Sequence, residues 1–151
     1  MSQEESGVDH SQVVRLSKAG YRALHDNEPD RAEQYFRQIL DMDPENTYAL
    51  VGMAETERKR RNTRGAIGWF KQCLSIQPDN RYALRGAAEC HWEMEELHDA
   101  VENWVKYLEQ EPEDVVALTH LADAYRKEGS YERSRERYQQ ALGLEIGRAS
   151  C

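Results

Sequence analysis

Histidines and cysteines are the side chains of this 151-residue sequence that could bind a metal ion or act in catalysis. No two of the five histidines are one helical turn apart, the spacing that points two imidazoles at one metal ion. Cys73, Cys90 and Cys151 have neither the short paired spacing of a zinc site nor the density of a disulfide framework. His91 follows Cys90, but neighbouring residues on a helix point about 100° apart and cannot share a face. The sequence therefore predicts no metal site and no cofactor.

The acidic and hydroxyl side chains do not form a recognisable catalytic arrangement either. Glu55, Glu89 and Asp123 recur at a spacing of 34 residues, but no second acid is placed across a cleft from them, as glycoside hydrolysis requires. The sequence contains no glycine-rich phosphate loop and no serine or cysteine in a nucleophile elbow. We expect no catalytic residues and predict that the protein is not an enzyme.

Composition and charge restrict the class of partner. The formal net charge is −8, so electrostatic repulsion disfavours a nucleic acid ligand. No apolar run approaches the roughly 20 residues that span a bilayer, and the opening residues MSQEESGVDH are acidic where a targeting peptide would be basic and apolar. Three cysteines without a pairing pattern are most simply interpreted as reduced thiols. We expect a cytoplasmic protein with no membrane span.

A repeat of 34 residues organises the elements that carry these side chains. The segment TYALVGMAE begins at Thr47, and RYALRGAAE begins 34 residues later at Arg81. The same register gives four units, which begin at Val13, Thr47, Arg81 and Val115. Matching positions hold leucine (Leu16, Leu50, Leu84, Leu118), a small residue (Gly20, Ala54, Ala88, Ala122) and an aromatic ring (Phe36, Phe70, Trp104, Tyr138), and proline closes the first three units (Pro44, Pro78, Pro112).

Each unit is predicted to form two amphipathic helices joined by a short turn. Apolar residues recur at helical spacing in both halves of a unit, as in Ala66, Phe70 and Leu74. Residues suited to helix ends lie between these segments: Asn46, Asn80 and Asp114 as N-caps, Pro29 for a first turn and Gly129 for a C-terminus. The expected helices span 13–26, 29–41, 47–60, 63–75, 81–94, 97–109, 115–128 and 131–144.

The period, the small residues, the aromatic position and the closing proline resemble those of the tetratricopeptide repeat (TPR) family. The resemblance implies an all-α fold, a right-handed superhelical solenoid of antiparallel helix pairs. It covers residues 13–146, with repeats at 13–46, 47–80, 81–114 and 115–148. Glu57 and His91 depart from the pattern, because they stand where the family often has an aromatic residue. Outside the repeats, we expect a flexible segment at 1–12 and a tail at 147–151.

The resemblance also implies a concave groove lined by the first helix of each repeat. Residues on those helices that lie off the packing stripe are the candidates for binding a peptide: Tyr21, Tyr48, Val51, Gly52, Glu55, Arg58, Tyr82, Arg85, Gly86, Glu89, Trp92, Val116, Thr119, Asp123 and Arg126. The aromatic residues and Val116 are expected to anchor a ligand, and the row of carboxylates is expected to select for ligand Lys or Arg.

Two features of this candidate groove have alternative interpretations. Gly52 and Gly86 recur in mid-helix, where glycine costs about 1 kcal/mol relative to alanine. They either admit the backbone of a ligand or permit close helix packing or reflect duplication of an ancestral unit. The carboxylates of Glu55, Glu89 and Asp123 either face a basic ligand or pair with neighbouring arginines on the protein surface.

These features predict a non-enzymatic adaptor or scaffold that binds a peptide segment of a partner protein. The family's best understood groove grips a C-terminal carboxylate with Lys, Asn and Arg, and the matching positions here do not hold that set in either register: Ser17, Tyr21, Gly52, Tyr82 and Gly86, or Val51, Glu55, Gly86, Val116 and His120. The resemblance therefore does not predict a co-chaperone of that kind. Two alternatives remain: a self-assembling structural subunit whose repeat ends stack, and a small secretion-type chaperone.

The second helix of the fourth repeat has apolar residues and no following repeat in this sequence to cover them. Tyr138, Ala141, Leu142 and Leu144 belong to this helix, and repeat arrays normally need a polar cap at such an end. The residues GRASC supply none. We expect either a longer repeat array or a second subunit that covers the apolar face, so self-association through this end is a possible partner interaction.

Overall fold

The computed structural model describes residues 8–150, and this part of the chain consists of eight helices and the turns between them, with no strand. The helices are α1 (His10–His25), α2 (Pro29–Met42), α3 (Thr47–Lys59), α4 (Thr63–Ile76), α5 (Arg81–Glu93), α6 (Leu97–Gln110), α7 (Val115–Glu128) and α8 (Tyr131–Ala149). They form two compact units, Met1–Pro78 with α1–α4 and Asp79–Cys151 with α5–α8, called unit 1 and unit 2 here.

The predicted caps and turns account for the close match of most helix ends. Side-chain oxygens of Asn46, Asn80 and Asp114 accept hydrogen bonds from backbone N–H groups three residues on, at 2.9, 2.9 and 3.0 Å. Pro29 occupies the start of α2, and Gly129 ends α7 with a left-handed backbone, φ 88°. Helices α2 to α7 therefore begin and end within one residue of the expected positions.

The two outer helices are longer than predicted. Helix α1 begins at His10, because the Asp9 carboxylate accepts hydrogen bonds from the N–H groups of Ser11 and Gln12 and caps it there. Residues 10–12 of the predicted flexible segment are thus helical, whereas residues 1–7 lie outside the described residues. Helix α8 continues to Ala149 because the fourth repeat has no proline where the other three close, so 147–149 of the predicted tail are helical. Residue 151 also lies outside the described residues.

Unit 1 packs its helices around the ring of Phe36 on α2. This ring is fully buried, and a Cβ built on Gly20 or Gly52 would lie 2.6 or 2.4 Å from the Phe36 ring. The two glycines therefore let α1 and α3 approach α2 closely. At the turn after α3, the Arg60 guanidinium bonds the carboxylates of Glu33 at 2.7 Å and Asp30 at 2.6 Å and links α3 to α2.

Unit 2 has a core built around Trp104 on α6. The indole packs edge-on against Tyr107 at 5.6 Å between centroids and stacks on His120 of α7 at 5.4 Å. The buried Ser134 hydroxyl of α8 donates to the Ala122 carbonyl of α7 at 2.8 Å, at a position where earlier repeats have alanine. The small residues predicted to permit close packing, Ala54, Ala88 and Ala122 among them, are completely buried.

Candidate functional site

Tyr48 is the most exposed of the predicted binding residues of unit 1. It is the second residue of α3, and 67% of its surface is accessible. Tyr21 on α1 lies beside it and is half-buried, because its ring packs edge-on against Phe36 at 5.1 Å and its hydroxyl donates to the Tyr48 backbone carbonyl at 2.9 Å. Tyr21 therefore positions the start of α3, and the Tyr48 side chain provides the contact area.

Three predicted binding residues are buried and are removed from the candidate surface. Val51, Gly52 and Gly86 are all buried on their helices. A side chain at position 52 would overlap the Phe36 ring, so close helix packing explains why this residue is glycine. Sequence periodicity missed the burial of Val51 and Gly52 because α3 contacts α1 and α2 as well as α4, which widens its buried face.

The last two predicted residues of unit 1 form an ion pair. Arg58 Nη1 lies 3.5 Å from Glu55 Oε1, three residues earlier on α3, and both side chains are about one-third exposed or less, at 26% and 36%. A pair of this kind contributes about 1 kcal/mol or less in contact with water. The Glu55 carboxylate therefore pairs with a neighbouring arginine of the protein, which was one of the two interpretations of the carboxylate row.

Unit 2 exposes Tyr82 at the position equivalent to Tyr48, with 59% of its surface accessible. The Arg81 guanidinium lies 5.2 Å from the centre of the Tyr82 ring and is itself held by Glu111 at 2.7 Å. Val116, near the start of α7, is 58% exposed. The first turns of α5 and α7 thus each present one large apolar side chain to solvent.

The charged residues predicted on α5 and α7 also pair within unit 2. Arg85 Nε lies 3.3 Å from Glu89 Oε1, and Arg126 Nη2 lies 3.8 Å from Asp123 Oδ1. The Tyr138 hydroxyl donates a short hydrogen bond to Asp123, and this bond, aided by burial, raises the pKa of Tyr138. Asp123 therefore has two partners from its own unit, and a ligand cation would have to share it.

Trp92 and Thr119 complete the candidate surface of unit 2. Trp92 is half-buried near the end of α5, and the Lys127 ammonium lies 4.8 Å from the centre of an indole ring. The Thr119 hydroxyl donates to the Val115 carbonyl on its own helix at 2.8 Å. Its hydrogen is therefore used within α7, so Thr119 presents its methyl group and an acceptor oxygen.

A family model described as the tetratricopeptide repeat matches residues 17–81 and 86–149. The chain belongs to the tetratricopeptide repeat family. The two matches cover most of the sequence and pass through all eight helices, so the TPR assignment made from the 34-residue period is confirmed. No curated protein matches the sequence significantly.

Solved structures of TPR proteins have the same fold. The crystal structure of MamA is similar with a TM-score of 0.84 and 18% sequence identity, covering 95% of this chain and 84% of that chain. MamA 41-end from Desulfovibrio magneticus RS-1 has a TM-score of 0.78 at 17% identity, covering 89% and 76%. The first TPR of Spaghetti (RPAP3), bound to the HSP90 peptide SRMEEVD, has a TM-score of 0.75 at 17% identity, covering 81% and 97%. The predicted all-α fold of TPR helix pairs is thereby confirmed.

Burial raises the pKa of the Cys73 thiol to about 11, so that thiol stays protonated and is a poor nucleophile. Within residues 8–150 no helix is both long and apolar enough to cross a bilayer. What the surface offers is exposed aromatic and aliphatic area bordered by paired charges, an arrangement suited to binding another protein.

Proposed function

We propose that this TPR protein is a non-enzymatic adaptor that binds a peptide segment of a partner protein on the exposed faces of its first helices. TPR domains of the same fold bind peptides, as in the complex of the Spaghetti (RPAP3) domain with SRMEEVD. A cytoplasmic location belongs to the same proposal and is supported by the buried thiol of Cys73, which forms no disulfide.

The observation that carries the proposal is the repeated exposure of a tyrosine. Tyr48 and Tyr82 stand at the same repeat position, and 67% and 59% of their surfaces are accessible. Neither hydroxyl nor ring is needed to hold the core, since the buried residues of α3 and α5 are others. Tyrosine offers a large contact area with one polar tip and few rotatable bonds, which suits an anchor for a peptide.

Charge selects the ligand in this proposal. Each candidate surface carries a carboxylate beside an arginine, Glu55 with Arg58 and Glu89 with Arg85. Such pairs are weak in contact with water, so a ligand Lys or Arg can replace the protein arginine at little cost. The net charge of −8 adds long-range attraction for basic segments. We therefore expect a ligand with apolar side chains and at least one basic residue.

An acidic C-terminal peptide such as SRMEEVD fits this surface poorly. The positions that would hold the Lys, Asn and Arg of the carboxylate grip carry Ser17, Tyr21, Gly52, Tyr82 and Gly86 in one register. Gly52 is buried, and the two tyrosines carry no positive charge. A carboxylate at these positions would find no cation from those residues and would meet Glu55 nearby on α3.

Peptide selection with matched tyrosine variants tests the proposed function. Random peptides displayed on phage are selected against the full chain, and the selected peptides are bound to the wild type, to the double variant Tyr48→Ala/Tyr82→Ala, and to Tyr131→Ala. Tyr131 is the control because it is also 67% exposed but lies on α8, a second helix of a repeat.

We expect selected peptides to be enriched in Lys or Arg and to bind the double variant at least thirtyfold more weakly, since one anchor contributes about 2 kcal/mol. Tyr131→Ala should bind like the wild type. Equal loss in both variants, or no loss in the double variant, would reject the first-helix faces as the binding surface.

Self-association is a second candidate function, favoured by the exposed apolar face of α8. Tyr131, Leu142 and Ile146 are 67%, 57% and 57% exposed, and an open depression of about 320 Å³ lies beside Tyr131 and Leu142. Sedimentation velocity over a range of concentrations tests it. A dimer that is lost in Leu142→Glu and kept in Gln72→Glu, which places the same charge on the exposed surface of α4, supports self-association, and a monomer at all concentrations excludes it.

A further inference from the structure

The turn between α5 and α6 brings together three side chains that can bind a metal ion. His91 lies near the end of α5, Glu96 precedes α6, and Asp99 lies in the first turn of α6. One ligand atom of each residue lies within 4.8 Å of the other two. We propose that His91, Glu96 and Asp99 form a binding site for a divalent transition-metal ion of the Zn²⁺ type.

The state of His91 is the observation that points to a ligand. The residue is 3% exposed, and its Nδ1 atom has no hydrogen-bond partner among the described residues. Buried polar atoms of folded proteins nearly always have such a partner, because an unsatisfied one loses its hydration without compensation. The Glu96 Oε1 atom lies 3.4 Å from Nδ1 without forming a hydrogen bond. The unsatisfied Nδ1 atom therefore lies beside the Glu96 carboxylate.

The backbone holds the three residues in this arrangement. The Glu96 N–H donates to the His91 carbonyl at 2.9 Å and closes the turn. Glu96 occupies the N-cap position of α6 but its side chain does not cap the helix, and Asp99 follows three residues later on the same helix face. Both acids are half-exposed, so an ion can reach them from solvent while the imidazole side stays shielded.

The donor set selects the class of metal. One neutral imidazole nitrogen and two carboxylate oxygens suit Zn²⁺ and its neighbours in the transition series, whereas Ca²⁺ and Mg²⁺ prefer oxygen ligands alone. Ligand bonds of about 2.0–2.2 Å place ligand atoms about 3–4 Å apart around one ion. Small rotations of the Glu96 and Asp99 side chains therefore close the present spacing, and water completes the coordination on the exposed side.

The second repeat shows how the same turn is stabilised without an ion. Its equivalent positions are Glu57, Asn62 and Gly65, and there the Asn62 amide donates to the Glu57 carboxylate while its oxygen accepts from the Gly65 N–H. That turn is satisfied within the protein. The third repeat has His91, Glu96 and Asp99 at these positions and lacks the amide bridge, and its His91 Nδ1 is buried without a hydrogen-bond partner among the described residues.

A simple ion pair between protonated His91 and Glu96 is the competing explanation. It needs two residues, and Asp99 is not one of them. The effect of Asp99 on metal binding therefore separates the two explanations, because only a three-ligand site makes Asp99 necessary.

Calorimetric titration of ZnCl₂ into the chelator-treated full chain tests the proposal. All variants carry Cys151→Ser, which removes a terminal thiol that could bind Zn²⁺. Glu96→Gln and Asp99→Asn remove one ligand charge each at half-exposed positions, so the fold should survive. His98→Gln is the matched control, because His98 is an exposed histidine of the same helix turn.

We expect one saturable Zn²⁺ site whose affinity falls at least tenfold in Glu96→Gln and in Asp99→Asn and is unchanged in His98→Gln. The side-chain ¹⁵N resonance of His91 Nδ1 should shift on titration. Absence of saturable binding, binding unchanged in Asp99→Asn, or loss of binding in His98→Gln would each overturn the proposal.

Discussion

The ring of Phe36 lies between Gly20 and Gly52, and neither glycine leaves room for a methyl group. A ring pushed away from one helix by a new side chain would move toward the other. The sequence shows that Gly52 and Gly86 recur but cannot show the ring that Gly52 contacts, because Phe36 belongs to the preceding repeat. The burial of Gly52 could therefore not be predicted from the periodicity of its own helix.

Gly52→Ala is expected to lower the free energy of unfolding by about 1–3 kcal/mol, since overpacking of a closed core outweighs the gain in helix propensity. Gly68→Ala is the matched control on α4, where a Cβ would meet nothing within 4 Å. That variant should gain up to about 1 kcal/mol. Urea denaturation followed by circular dichroism measures both. Equal stabilisation by the two substitutions would show that Phe36 does not constrain Gly52.

A hydrogen bond of its hydroxyl group explains why residue 107 is tyrosine. Its hydroxyl donates to Asp114 Oδ2 at 2.7 Å, and Asp114 also caps α7. Burial and this bond raise the pKa of Tyr107 to about 12. Burial acts to raise the pKa of Asp114, but hydrogen bonds from Tyr107 and the Ala117 N–H outweigh it and hold the pKa below the usual 3.8.

Tyr107→Phe should lower the free energy of unfolding by about 1.5 kcal/mol near neutral pH, because it removes a hydrogen bond to a charged group. An acid with a lowered folded pKa stabilises the fold above its unfolded pKa and loses that contribution as the pH falls through the folded value. The raised pKa of Tyr107 adds stability below about pH 10 that is lost as the pH rises toward 12.

The difference in stability between wild type and Tyr107→Phe should therefore be largest between about pH 5 and 9 and shrink at both extremes. Thermal melting over this pH range measures it, with Tyr131→Phe as the exposed control. A difference that does not change down to pH 3 would contradict the role of the ionised Asp114.

At the scale of elements, every repeat makes its internal turn in the same way. Asn27, Arg61 and Glu95 have φ of 59°, 61° and 59°, and Gly129 has 88° at the fourth equivalent position. Glycine and asparagine adopt a left-handed backbone most readily, and only Gly129 was predicted to end a helix. The arginine and glutamate adopt a conformation that costs an L-residue about 1–2 kcal/mol.

Arg61→Gly is expected to raise the free energy of unfolding by about 1 kcal/mol, because glycine adopts this conformation without steric cost. Lys71→Gly removes a similar exposed cation from the interior of α4 and should lower stability by about 1 kcal/mol. Urea denaturation measures the free energy of unfolding of both variants. A loss of stability in Arg61→Gly as large as in Lys71→Gly would contradict the explanation from backbone strain.

The helices were largely predictable because capping residues and prolines mark their ends locally. Helix α8 was not, because a helix without a stop signal continues as long as its own residues permit. Of the binding residues, the exposure of Tyr48 and Tyr82 followed from helix periodicity, whereas the arginine partners of Glu55 and Glu89 remained one of two possibilities. The cluster at His91 was missed because a search for histidine pairs does not find ligands joined across a turn.

At the scale of the whole molecule, the repeat places equivalent residues on successive helix pairs. Tyr48 and Tyr82 stand at one such pair of equivalent positions and are both exposed, whereas the two residues that follow each of them on its helix are buried. The acidic net charge of −8 favours a basic peptide over an acidic one. We propose that a partner protein binds on these faces.

Chemical-shift mapping by NMR of the ¹⁵N-labelled chain with a selected basic peptide tests this claim most directly. The account predicts that the largest shifts occur at Tyr48 on α3 and at Tyr82 and Val116 on α5 and α7. Shifts concentrated instead at Tyr131, Leu142 and Ile146 on α8 would contradict it.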